Sequence, residues 1–203
     1  MRPNRDSNAW AAICRTLSRK WKNDVKTFLA DCWFDGPTIL AHLHRDGMWS
    51  ASGWTPDFPL LRGSKIGPLW VRTLRDNALL KLSGLEDVPI PVDVHVMRAT
   101  LCSGALRGRF RGSPERLKNA VRELWRTAVK GLEHSDGQSM IPLDVDEPLW
   151  TLSRLGCSQR GNGLLTSCPP CCVLAPVCVE GRIKITGMEC DVEIPHDKAA
   201  AVV

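Results

Sequence analysis

A chain of 203 residues, 43% of them hydrophobic, can bury one good core or two small ones. Its net charge of +5 and pI near 8.8 favour an anionic partner mildly, and exclude neither nucleic acid nor an ordinary basic enzyme. No apolar run reaches the length of a membrane span and the polar start, Met1-Arg-Pro-Asn-Arg-Asp, is not a signal peptide, so the expected location is cytoplasmic.

Ser7 is placed to cap a first helix with the stripe Trp10, Ile13, Cys14, Leu17 and Trp21. A second helix is expected from about Asp24 to Trp33, turning Val25, Phe28, Leu29 and Cys32 inward. Pro37 begins a third, which Gly47 stops, and residues 48–60 read as a loop without strand signal. His42 and His44, two residues apart on that third helix, point to different faces and do not suit one shared metal.

Residues 61–104 organise the rest. Gly63 and Gly67 bracket a tight turn, and Pro68 stands where a helix takes its first residue. Val71, Leu74, Ala78 and Leu82 then share one helical face, with Arg72 and Arg75 off it. Amides at such a helix start suit an anion, and Lys65 inside the turn suits a phosphate. After the breaker Asp87-Val-Pro-Ile-Pro, Asp93 caps a further helix with the stripe Val94, Met97 and Leu101, stopped at Gly104. Arg107, Arg109 and Arg111 alternate around Phe110 in what reads as a flexible loop. Guanidinium groups there suit phosphate and the ring suits a base, while a solvated loop with one buried Phe serves equally well. Ser113 and Pro114 open a strongly patterned helix with the stripe Leu117, Ala120, Val121, Leu124, Ala128 and Leu132, closed near Gly131. Asp146 caps a last helix, ended by Gly156.

Cysteines follow at once. Cys157, Cys168, Cys171 and Cys178 are separated by ten, two and six residues, and Cys172 can replace Cys171. A Cys-x2-Cys pair grips one metal or cluster edge from a single turn, and a thiolate on either side completes the shell. In a reducing compartment nine cysteines argue for ligation over disulfides, with zinc and an iron–sulfur cluster both open. Cys14, Cys32 and Cys102 read as packing residues on apolar helix faces, and Cys190 has no reading. Ile183 and Ile185 alternate with Lys184, which hints at a short strand.

Two of these segments resemble the helix-hairpin-helix DNA glycosylase superfamily, which includes endonuclease III. Its Leu-x-Gly-Val-Gly hairpin is similar to Leu61-Arg-Gly63-Ser-Lys-Ile-Gly67, and its Val-Asp-x-His-Val segment to Val92-Asp93-Val-His95-Val96. The resemblance implies an all-α protein of two helical lobes, 1–88 and 89–203, the first shortened. It puts a helix-hairpin-helix at their junction and a C-terminal cysteine-cluster loop. It also implies a base-excision repair enzyme that hydrolyses the N-glycosidic bond of a flipped, damaged or modified base in double-stranded DNA. The implied catalytic residue is Asp93, the DNA contacts Gly63, Lys65, Gly67, Arg107 and Arg109, and the cysteines' ligand a [4Fe–4S] cluster. Bifunctional relatives carry a lysine where this chain has Leu69, so lyase activity is not expected. The competing readings are a non-catalytic DNA-binding module with an iron–sulfur or zinc site, and a zinc-stabilised helical protein unrelated to DNA.

Overall fold

The structure, a computed structural model, describes residues 3–157, 163–165, 178–179, 181–186 and 188–195. The chain divides into two compact units, Met1–Pro91 and Val92–Val203. Among the described residues helix accounts for 51% and strand for 16%, the strands forming two small antiparallel sheets, so the protein is mixed α/β and the all-α expectation is wrong.

In the first unit, α1 (Pro3–Trp21) turns Ala9, Ile13, Thr16 and Trp21 inward. Trp10 and Cys14, expected on that stripe, are exposed. The next two helices start at aspartates. Asp24 accepts from the Lys26 and Thr27 amides to cap α2 (Val25–Asp31), and Asp35 accepts from the Thr38 amide to cap α3 (Gly36–Arg45). Phe28, Leu29, Cys32, Ile39 and Leu43 are fully buried, each large apolar side chain contributing about 1.5–3 kcal/mol. The Phe28 ring centroid lies 4.9 Å from that of Trp21 and 4.8 Å from that of Phe58. Asp57, buried, accepts from Thr16 and pairs with Arg19 and Lys20, tying the segment after residue 56 to α1.

Residues 47–56 are not the expected loop. They form a ribbon of β1 (Gly47–Ser50) and β2 (Gly53–Pro56), turned through Ala51-Ser52 with Gly53 at φ +106°. This ribbon stands between α3 and the turn before α4 (Ile66–Asp76), so a helix-hairpin-helix is not formed. Helix α4 also ends before Ala78 and Leu82. The chain then runs back beside the α2–α3 turn, where Ser83 N–H donates to Phe34 O and Gly36 N–H to Ser83 O, both at 2.9 Å.

The second unit is built on α5 (Val94–Cys102), whose Val96, Met97, Ala99, Thr100, Leu101 and Cys102 are all buried. Packed on it are α6 (Glu115–Ala128), α7 (Asp146–Leu155) and the sheet strand β5 (Gly181–Ile185). The sheet order is β3 (Gly108–Gly112), β6 (Cys190–Ile194), β5, β4 (Gly163–Leu165), antiparallel throughout. Residues 108–112, expected as a flexible loop, are therefore a strand, because Arg109-Phe110-Arg111 alternates at the strand period. A 3-10 turn, Pro142–Val145, precedes α7, which starts at the buried Asp146. Among the described residues no helix is long and apolar enough to cross a membrane.

Candidate functional site

The charged group at the start of the second unit's central helix is Asp93. Its backbone is extended, and its Oδ1 accepts from the amides of His95 (2.8 Å) and Val96 (3.0 Å). Two amide dipoles thus complement a half-buried carboxylate at the positive end of the unit's central helix. One turn of α5 also carries His95, whose Nδ1 lies 3.2 Å from the buried Ser153 Oγ on α7. The His95 ring meets Trp150 edge-on at 5.6 Å, and the Arg154 guanidinium sits 5.3 Å over that indole. His95 is therefore held by α7, and a part-exposed aromatic with a cation on its face stands beside it. The sequence reading missed Ser153, Trp150 and Arg154. The available signal was the four-residue spacing of Trp150 and Arg154, which brings two side chains together on one helix face.

At α4 the geometry is different. Gly67 is buried inside the helix's first turn, and its N–H donates to Gly63 O at 2.9 Å. A Cβ there would meet Leu61 O at 2.8 Å and Leu40 Cδ2 at 3.0 Å, so close packing is what requires glycine. Lys65, half-buried, is the residue before the helix and makes no side-chain cap; Gly63 is exposed on the turn. Leu69 lies half-buried on α4, where the resemblance expects the lysine of a bifunctional enzyme.

Arg107 is half-buried, and its Nε donates to Gly104 O at 3.2 Å. Arg109 and Arg111 project from β3, pairing across the ladder with Glu193 at 2.5 Å and Asp191 at 3.3 Å. Phe110, on the opposite side of the strand, faces Val192.

Of the candidate metal ligands, Cys157 is buried just past α7, and Cys178 is half-buried. The segment after Cys178 is fixed by Val179 N–H donating to Cys102 O at 2.9 Å, at the end of α5. Cys168, Cys171 and Cys172 lie outside the described residues, and among the described residues no three His, Cys, Asp or Glu side chains form a metal site. Cys157 and Cys178, the two outer members of the set, are the two that fall within the described residues. The remaining buried thiols are packing groups. Burial, with the charges of Asp46, Asp31 and Asp35, pushes Cys32 up to about 11, and burial beside Asp191 raises Cys190 on β6.

Comparisons with protein families, curated proteins and solved structures return no match to this chain.

Proposed function

We propose that the protein is a DNA glycosylase that hydrolyses the N-glycosidic bond of a damaged or modified base. The observation that carries this reading is Asp93, a half-buried carboxylate locked by two amides at the start of a core helix that also carries His95, whose ring meets the Trp150 indole. Breaking the bond builds positive charge on the sugar, and a fixed carboxylate stabilises that oxocarbenium-like state and orients the attacking water. The base must leave the stack to be reached, and a part-exposed indole under a guanidinium suits stacking against an extruded nucleotide.

The partner is double-stranded DNA inside the cell. Lys65 and Gly63 at the turn before α4, and Arg107 and Arg109, meet phosphates; Gly67 serves them by letting that turn pack. Cys157, Cys168, Cys178 and either Cys171 or Cys172 would hold a [4Fe–4S] cluster or a zinc ion, whose part is to fix the fold of the second unit. A non-catalytic DNA-binding module is the second reading, favoured by Asp93 serving as a helix cap.

Single-turnover excision across a panel of lesion-bearing duplexes separates the two. The glycosylase releases one class of base, whereas a binding module releases none. Because Leu69 offers no amine, borohydride should trap no covalent protein–DNA adduct. An adduct lost on Lys65→Ala would make Lys65 a nucleophile and the enzyme bifunctional.

A further inference from the structure

Across three strands of the second unit's sheet, one face is made only of charged side chains. The register aligns Arg109, Glu193 and Arg182 in one row, and Arg111, Asp191 and Lys184 in the next. The other face carries Phe110, Val192, Ile183, Ile185, Cys190 and Ile194, the last five buried. Two files of cations therefore flank a central file of carboxylates, four positive groups against two negative. The outer files lie about 10 Å apart, twice the inter-strand spacing, close enough for their fields to sum before salt screens them.

The carboxylates do not cover Arg109 and Arg111 for an approaching ligand. Arg109 and Arg111 side chains are 75% and 68% exposed, while Glu193 and Asp191 are 33% and 40% exposed beneath them. Exposed ion pairs of this kind are weak, so a phosphate can replace a carboxylate as partner at little cost. Arg182 bridges Asp191 (3.3 Å) and Glu193 (3.2 Å), which keeps the acidic file in place under the cations.

We infer that this sheet face is a docking surface for the phosphate backbone of duplex DNA, and that Asp191 and Glu193 are built-in counter-ions which phosphates displace. The inference rests on the proposed function for its choice of DNA over other polyanions, and extends its single sheet arginine, Arg109, to a four-cation surface with Arg111, Arg182 and Lys184. The acidic file keeps grip moderate and reversible, as a protein that must leave undamaged DNA requires.

The test uses the whole chain, a lesion-free duplex and binding isotherms over a salt series. R109Q/R111Q should weaken binding roughly tenfold or more at 0.1 M salt. It should also reduce the slope of log K against log salt by about 1.8, the value for two lost phosphate contacts. D191N/E193Q should do the opposite, tightening binding and steepening the slope, a gain that damage to the fold does not produce. K118Q/R126Q removes the same net charge from α6 and should leave the slope alone. Equal slope changes in the arginine pair and this control, weaker binding by the acidic-file variant, or no duplex binding by the wild type would each overturn the inference. If excision occurs but the sheet variants leave the slope unchanged, the docking surface fails and the glycosylase stands. If the slopes move as expected while no base is released, the enzyme fails and the docking surface stands.

Discussion

Helices α4 and α5 each follow a proline-bearing stretch, and each starts where an anion-binding terminus is expected, yet the two starts are built differently. At α4 the first turn is closed by backbone: Gly67 N–H is used on Gly63 O, and Gly67 is wedged against Leu61 O and Leu40. At α5 a side chain closes the turn, the Asp93 carboxylate taking two amides. The first arrangement stabilises a fold. The second fixes a negative charge in one orientation, which is what catalysis on a developing cation needs. A helix start is thus informative about chemistry only when the group that satisfies its amides is known.

Asp93→Asn tests this contrast with the largest expected effect. Asparagine still caps α5, so circular dichroism and thermal melting should change little. Single-turnover excision should fall by about two to three orders of magnitude. Unfolding of the variant, or unchanged excision, would make the two helix starts equivalent in being structural.

Gly67→Ala should act on stability. Its Cβ forces the turn or Leu61 to move, at a cost of about 1–3 kcal/mol, read from denaturant unfolding. Excision by the folded fraction should persist at saturating DNA. A loss of DNA affinity without loss of stability would instead make Gly67 a direct phosphate contact rather than the packing residue that supports Gly63 and Lys65. Ser153→Ala sharpens the α5 side. Removing the hydroxyl at 3.2 Å from His95 Nδ1 should cost about 1 kcal/mol of stability and change excision only a few-fold, because His95 is a packing group. A rate loss comparable to that of Asp93→Asn would make His95 part of the chemistry.

The smallest effect concerns the capped helices of the first unit. The Thr38 hydroxyl, and then its amide, hold the Asp35 carboxyl below its ordinary value of 3.8, and the Thr27 hydroxyl lowers Asp24 in the same way. A lowered carboxyl contributes stability that is complete above about pH 3.8 and lost as pH falls through the folded value. Melting curves of wild type and Asp35→Ala should therefore differ by a constant amount from pH 7 to about 5, and converge below pH 4. A difference that instead grows toward acid pH would show that Asp35 is not held ionised by its cap.

Much of the helical part was legible in the sequence because its signals are local. Asp24 and Asp93 stand directly before their helices, and Phe28, Leu29 and Cys32 keep helical spacing. The strands were less legible. Gly47–Ser50 and Gly53–Pro56 are too short for a period-two pattern, and their pairing depends on a turn whose Gly53 has a positive φ. Glycines at both ends made Gly108–Gly112 look like a loop, although the Arg-Phe-Arg alternation was visible. Cys190-Asp-Val-Glu-Ile194 alternates buried and charged residues just as clearly, and it explains Cys190, which no local pattern around the cysteine cluster could. The ion pairs on Arg109 and Arg111 were invisible for a different reason. Their partners come from a strand distant in sequence, which residue spacing cannot indicate.

That distance has a consequence for how the protein is made. β6 lies between β3 and β5, so residues 108–112 cannot pair until residues 190–194 have left the ribosome. At the synthesis rates typical of cells, β3 waits for several seconds with both of its edges open. An open strand edge recruits other chains, and charged side chains are what deter it. Arg109 and Arg111 thus have an earlier duty as gatekeepers, keeping a strand soluble while its partner is still being synthesised.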